Sequence, residues 1–326
     1  MKTKLFLKRQ QLWGFIFIAP WLIGFLVFYA GPMVVSLIYS FLDYNLIQPE
    51  LTKFVGIGNW RRAILEDKQI LMSIYRILEY TIISLPLSLV FSLFAAVLLN
   101  NKYLLGKKLF RALYYIPTMV PLVATVIIWK GILNEQTGWV NLMIKETVGG
   151  EGLRWLASTK LVYISYAFIG LWGVGNTIVI LLAGLQGIPQ SLYEASYIDG
   201  ANGWQRMTCI TIPMITPILF YNIITGVVGM MQYFLVPMRK KDHALTLCVV
   251  GMMQYFLVPM VINQGSGYPE GMTNFPMVLF YRHAFSYFNM GYAAVIAWFI
   301  FVLGLIFTLI LFGTSKGWVF YADNKN

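Results

Sequence analysis

Apolar residues run through this chain in long uninterrupted stretches, and the polar positions gather into short islands between them. Six stretches are long enough to cross the roughly 30 Å hydrocarbon core of a bilayer as helices. They lie near residues 12–40, 73–99, 109–133, 161–185, 212–236 and 290–313. The pattern predicts an all-α polytopic membrane protein of six spans. Prolines fall within several of the stretches (Pro20, Pro32, Pro86, Pro117 and Pro121). Membrane helices accept them where neighbouring groups satisfy the freed backbone. The first stretch, Leu12 to Phe41, is too long for a signal-peptide core and reads as a retained span.

Composition strengthens this picture. Of 326 residues, 59% are hydrophobic and 11% charged, with a mean hydropathy of +0.69. A soluble domain carries about a quarter charged residues. The net charge of +11 has no clustered basic surface behind it, so a nucleic-acid partner is not expected. The cations flank spans instead. Lys2, Lys4, Lys8 and Arg9 precede the first span, and Lys102, Lys107, Lys108 and Arg111 crowd the short connection after the second. Arg61, Arg62, Lys145 and Arg154 on the opposite side are spread over longer loops and mixed with acids. The positive-inside rule then places the N-terminus, and with six spans both termini, in the cytoplasm. Cys209 and Cys248 form neither a disulfide framework nor a metal cluster, and no metal or cofactor is expected.

The segment VVGMMQYFLVPM occurs twice, at Val227–Met238 and Val249–Met260, separated by RKKDHALTLC. Structural repeats diverge far more than these identical copies do. The pair reads as a recent duplication or a sequence-assembly artefact, with an insert at about 227–248 and only one copy completing the fifth span.

One polar island stands out. SLYEASYIDGANGWQRMTCITIP, Ser191 to Pro213, separates the fourth and fifth spans on the predicted cytoplasmic side. Ser191 and Glu194 have the spacing of a capping box, which predicts a helix from about Leu192. Gly200 is placed to end it, since glycine readily takes the left-handed conformation past a helix C-terminus. Two turns are too few for stability alone, so a docking surface should hold this helix. Ala195 and Ser196 are small, and Tyr193 and Tyr197 share a face one turn apart.

This island resembles the EAA loop of binding-protein-dependent ABC importer permeases, whose pattern is E-A-A, three residues, G, nine residues, I-x-L-P. Glu194 and Ala195 match, Ser196 stands for the second alanine, and Gly200, Ile210 and Pro213 fall at the right spacing. Ile212 replaces the leucine. Other segments are similar to the sugar-transporting branch of that family: FVGIGNW (54–60), YYIPTMVPLVATVIIWKGILN (114–134), LWGVGNTIVILLAGLQGIP (171–189) and the closing SKGWVFY. The resemblance implies a type I ABC importer permease fold in a bacterial or archaeal cytoplasmic membrane, importing a di- or oligosaccharide. It implies no chemistry within the chain. Glu194, Ala195, Ser196, Asp199, Gly200 and Ala201 would form the coupling element that docks on an ATPase pair. A second homologous permease and an extracellular or periplasmic sugar-binding protein complete the implied assembly, surrounded by lipid. Gly106-Lys107-Lys108 lacks the first glycine and the hydroxyl residue of a phosphate-binding loop, so ATP hydrolysis is assigned to a separate chain.

The implied domain plan has a cytoplasmic segment (1–11), a first span with its outer loop (12–72), a permease core (73–313) holding the EAA loop (about 186–212), and a tail (314–326). For the substrate pathway, Trp172 and Asn176 lie one turn apart if the fourth span is a continuous helix. An indole stacks on the C–H face of a sugar and an amide serves its hydroxyls. Gly173 would admit a ligand close to the backbone, and Asn222 and Gly226 are further candidates from the fifth span. Glycines and amides also serve helix packing, which leaves that reading open beside the first. Tyr80, Tyr114 and Tyr115 are assigned to interfacial belts.

Other function classes fit less well. An ion-coupled secondary transporter calls for intramembrane acids, and Glu79 alone qualifies. A membrane enzyme needs clustered catalytic groups, but His243 falls in the insert and His283 reads as an outer surface residue. A permease for a non-sugar solute such as a glycerol phosphate is a remaining alternative.

Overall fold

A computed structural model describes residues 2–149, 152–231 and 254–320. The described chain forms two compact units, one of residues 2–70 with 279–299, the other of the remainder.

The first unit opens with helix α1 (Lys2–Phe25), a π turn (Leu26–Ala30) and α2 (Gly31–Ser40). Together they supply a candidate span, Gly14–Ser40, none of whose most apolar window is buried. Trp21, Phe25 and Tyr29 stack along it with ring centroids 5.6 and 6.1 Å apart. A two-residue antiparallel pair follows, β1 (Leu42–Asp43) with β2 (Lys53–Phe54), and then α3 (Gly58–Arg61). Asn59 fastens α3 beneath the hairpin, its amide donating to the carbonyls of Ser40 (3.2 Å) and Leu42 (2.9 Å). The Tyr292 hydroxyl donates to Asp67 at 2.6 Å, while the Arg62 guanidinium lies 4.5 Å from the Tyr292 ring centroid. His283, expected at the surface, is half-buried with its ring against Tyr287 and Tyr292. Burial there lowers its pKa below the usual imidazole value.

In the second unit, α4 (Lys68–Asn100) is the longest helix and continues through Pro86. The third predicted span is not one rod. α5 (Lys107–Tyr115) runs on through a short 3₁₀ turn, Ile116–Met119, and that segment meets α6 (Leu122–Ile132) at 100° across Val120 and Pro121. Pro117 lies within that turn and Pro121 at the break, and each removes a backbone donor and clashes with a continuing helix. The fourth predicted span is likewise divided. α8 (Val162–Leu171) and α9 (Gly175–Gln186) bend by 60° at Trp172–Val174, inside the run GLWGVG. Gly175 lets α9 press on the Tyr114 carbonyl, since a Cβ there would collide with that oxygen and lie 2.9 Å from the Thr118 methyl.

The connection between these bent spans contains α7 (Trp139–Val148), organised by buried Asn141. Its amide donates to the carbonyls of Asn134, Glu135 and Leu153 at 3.1, 3.2 and 2.9 Å. Its Oδ1 accepts from Leu153 N–H and Trp155 Nε1, both at 2.9 Å. Two short helices follow α9, namely α10 (Gln190–Ile198) and α11 (Gly203–Arg206). The fifth span is α12 (Ile212–Met231), and α13 (Gln254–Asn263), α14 (Pro276–Tyr281) and α15 (Met290–Ser315) complete the order. Thus, among the described residues, four helices are long and apolar enough to cross a membrane, or six spans if each bent pair counts as one.

The apolar core beside the α10–α11 loop joins the end of α4 to α9 and α12. Ala95, Ala96 and Leu99 pack with Ile178, Leu181, Leu182, Leu185 and Ile188, and with Ile215. Small residues allow this closeness: a Cβ on Gly184 would meet the Ile218 side chain. Tyr80 belongs to a buried core rather than an interfacial belt. It is fully buried against Tyr163, Tyr166 and Phe275, with ring centroids 5.8, 6.5 and 5.5 Å away. Tyr114 is half-buried and Tyr115 exposed. As for the duplicated segment, Val227–Met231 of the first copy continue α12 and Gln254–Met260 of the second lie in α13. Residues 232–253, which hold most of the suspected insert and His243, lie outside the described residues.

Candidate coupling loop and substrate pathway

α10 starts at Gln190 with Pro189 at the N-cap, two residues before the expected start, and no side chain caps it. The Ser191–Glu194 capping box does not form; both residues are exposed. Proline accounts for the shift. Pro189, at φ −57° and ψ 127°, supplies the non-helical turn-in that a cap needs, and its ring already fixes φ. The helix end follows the sequence. Gly200 is left-handed at φ +73°, and its N–H donates to Tyr197 O at 3.2 Å. The Ala201 N–H donates to Ser196 O at 2.9 Å, completing a Schellman closure with Asp199 at the C-cap.

The side chains of the loop divide into two sets. Ser196 is buried and its hydroxyl donates to Tyr193 O at 2.7 Å. Glu194, Ala195 and Asp199 are exposed, Ala201 is half-buried, and Tyr197 and Ile198 are 64% and 86% exposed. This exposed set, apolar at its centre with carboxylates at either side, has the composition of a docking surface. Tyr193 turns inward onto the α4–α9–α12 core.

A second cap lies just downstream, where the sequence reading did not find it. Asn202 Oδ1 accepts from Gln205 N–H at 2.9 Å, and Gln205 Oε1 accepts from Asn202 N–H at 2.8 Å. The signal was legible as N-x-x-Q ahead of an apolar run. α11 then passes through a π turn, Met207–Thr211, into α12. Thr211 Oγ1 donates to Arg206 O at 3.2 Å and accepts from the Tyr193 hydroxyl at 2.8 Å. The Arg206 guanidinium carbon lies 3.9 Å from the Tyr197 ring centroid.

The break in the fourth span alters the substrate candidates. Trp172 caps the end of α8 and Asn176 lies in the first turn of α9, so the continuous-helix argument for their shared face does not hold. Three glycines in six residues, Gly170, Gly173 and Gly175, explain why the apolar run bends here. Trp172, Gly173 and Asn176 are nevertheless all exposed at the bend. Trp172 packs edge to face on Trp129 with centroids 5.9 Å apart. Around Gly173 an added Cβ would meet nothing nearer than Gly170 O at 3.7 Å. In contrast, Asn222 is buried and its amide donates to Ile218 O of its own helix at 2.8 Å. Gly226 packs against Leu85, whose Cδ1 would be 2.5 Å from an added Cβ. The structure therefore gathers the fourth-span candidates at one bend and sets the fifth-span pair within helix packing. Glu79, the one intramembrane acid considered for ion coupling, is bonded to Arg76 at 3.3 Å.

Comparison with known proteins agrees with this architecture. Residues 88–238 match the family model of the binding-protein-dependent transport system inner membrane component. The chain is 33% identical over 327 residues to the probable ABC transporter permease protein YesP of Bacillus subtilis, covering 100% of this chain and 97% of that one. It is 28% identical over 306 residues to the trehalose/maltose transport system permease protein MalF of Thermococcus litoralis, covering 93% of each. Among solved structures, a chain of a bacterial ABC transporter that imports the acidic polysaccharide alginate superposes with a TM-score of 0.74 at 21% identity. That match covers 97% of this chain and 99% of the other, and establishes an all-α, multi-pass type I ABC importer permease fold. The chain is a polytopic membrane protein and belongs to the family of binding-protein-dependent transport system inner membrane components.

Proposed function

We propose that the chain is the permease subunit of an ATP-driven importer for a di- or oligosaccharide. In this reading an extracellular binding protein delivers the sugar, and a second homologous permease lines the other side of the path. An ATPase pair docks on α10, both termini face the cytoplasm, and the chain itself performs no bond chemistry.

The observation that carries the reading is α10. Its exposed Glu194–Asp199 surface is closed by a left-handed Gly200 and anchored inward by Tyr193 at the foot of the fifth span. The carbohydrate assignment draws on relatives named for lactose, arabinooligosaccharide and trehalose/maltose transport. A second related structure contains an alginate pentasaccharide-bound periplasmic protein, the type of partner proposed here. The bend at Trp172–Gly173 supports a pathway role. Backbone freed from helical bonding is tolerated at membrane depth only against protein or a water-filled cavity, and transporters place substrate at such breaks. Trp172 offers a stacking face there and Asn176 an amide. The Glu79–Arg76 ion pair removes the free carboxylate that an ion-coupled transporter would use.

The test is transport by the whole assembly. Gly200→Pro forbids the positive φ and deletes the N–H donated to Tyr197. It should leave the chain in the membrane but reduce sugar-dependent ATP hydrolysis by about tenfold or more, a factor equal to about 1.4 kcal/mol. The assay is uptake of radiolabelled maltose, trehalose, lactose and arabinotriose by proteoliposomes, with ATP consumption followed in parallel. Retention of full coupling in this variant, or uptake driven by an ion gradient without ATP, would refute the reading.

A further inference from the structure

The π turn at the foot of the fifth span has a geometric effect on the loop before it. Tyr193 and Tyr197 are four residues apart on α10 and so present side chains on one face. Their partners, Thr211 and Arg206, are five apart. In an α-helix of 3.6 residues per turn, such positions would be rotated by about 140° and could not meet one flat helical face. The π turn changes this register: the Ile212 N–H bonds to Met207 O, five residues back, and Thr211 Oγ1 reaches Arg206 O. One extra residue in the turn brings Arg206 and Thr211 into line with the two tyrosines.

We propose that α10 and the foot of α12 form one rigid lever, braced across the π turn by the Tyr193–Thr211 hydrogen bond and the Arg206–Tyr197 cation–π contact. This inference rests on the permease reading and goes beyond it by naming what carries motion from the docking helix into the membrane. The loop backbone is a poor carrier. Between Ile198 and Gly203 it passes through a left-handed glycine and an extended Asn202, neither held in a helix. The two braces bypass that stretch. They also differ in kind: the Tyr193–Thr211 bond sits at the edge of the apolar core, while Arg206 lies over an exposed ring at the docking surface. Tyr193, Tyr197, Arg206 and Thr211 are thus positioning residues, acting through α12. π turns recur at functional sites as local register shifts, and this one aligns the braces.

The experiment uses the complete complex, purified through a tag on this chain and placed in lipid nanodiscs. Backbone hydrogen exchange is compared with and without saturating Mg²⁺–AMP-PNP, a nucleotide probe that needs no knowledge of the sugar. In the unsubstituted complex, nucleotide should alter exchange at the α12 amides of residues 218–226, beyond the braces. Tyr197→Leu and Thr211→Val should raise exchange at residues 207–212 by about two- to fivefold, the range expected for loss of one such contact. Both should abolish the response of residues 218–226 to nucleotide. Tyr197→Phe keeps the ring and Thr211→Ser keeps the hydroxyl, and each should retain it. A merely structural role would lower thermal stability without separating these two pairs. If the Leu or Val variants do not assemble, Arg206→Gln removes the planar cation alone and should give the same loss of response. Full response in assembled Tyr197→Leu, Thr211→Val or Arg206→Gln complexes would overturn the lever. So would a lack of response in the unsubstituted complex. Failure of any ATPase chain to purify with the tagged protein would instead overturn the permease reading beneath it.

Discussion

At the scale of single residues, small polar groups fix the irregular segments and apolar contacts fix the regular ones. Asn141 is the strongest case. Five hydrogen bonds converge on one buried side chain, tying residues 134–135 to 153–155 across α7. Asn141→Leu keeps the volume but leaves the Leu153 N–H and the Trp155 indole N–H without their acceptor. Leaving buried donors unsatisfied costs about 1–3 kcal/mol each, so the variant should lose about 3 kcal/mol. Thermal unfolding in detergent would measure this as a clear fall in midpoint, and Asn141→Asp should fall as well, since its oxygen in place of Nδ2 would face three carbonyl oxygens. None of this was legible beforehand, because a lone asparagine in a polar loop has no periodic signal. Gly200 was legible, since the residue itself carries the conformational permission. The Ser191–Glu194 box misled because Pro189, two residues ahead, supplies the N-cap and starts the helix early.

At the scale of elements, hydropathy located every span but said nothing of its straightness. Composition over some twenty residues is indifferent to whether the backbone bends within them. Pro117 and Pro121 were visible, but tolerance of proline in membranes gave no bend angle, and the resulting 100° turn comes from two prolines acting four residues apart. The glycine run in the fourth span was read as room for a ligand, whereas it also ends one helix and starts another. Two of its glycines should now behave differently. Gly175→Ala drives a Cβ into the Tyr114 backbone carbonyl, which cannot rotate away, and should destabilise the chain by about 1–3 kcal/mol. Gly173→Ala meets only Gly170 O, at 3.7 Å, and should be nearly neutral. Equal unfolding midpoints for the two variants would show that the bend is not held by the Gly175 contact.

At the scale of the whole molecule, the duplicated segment is the feature that family architecture does not require. The fifth span is complete within α12, which already has 20 residues before the first copy leaves the described chain. Twenty helical residues suffice to cross a bilayer. Deleting residues 227–248 joins Gly226 directly to the second copy and keeps one intact VVGMMQYFLVPM. Expression, detergent stability and sugar uptake should be equal to or better than those of the full chain. Loss of uptake from a well-folded deletion would assign the repeat a function. Sequence alone revealed the repeat, because identity needs no structure to be seen.

The Gly14–Ser40 helix has no protein cover over its most apolar window, with Phe15, Phe17 and Trp21 all outward. Its consequence concerns the order of synthesis. A segment whose most apolar window later helices leave unburied can enter lipid from the translocon as soon as it is made, as a single-pass anchor would. By the positive-inside rule, Lys2, Lys4, Lys8 and Arg9 would then set its orientation while the bent spans are still unmade. Those later spans, broken by proline and glycine, would then thread into a frame whose direction is already set.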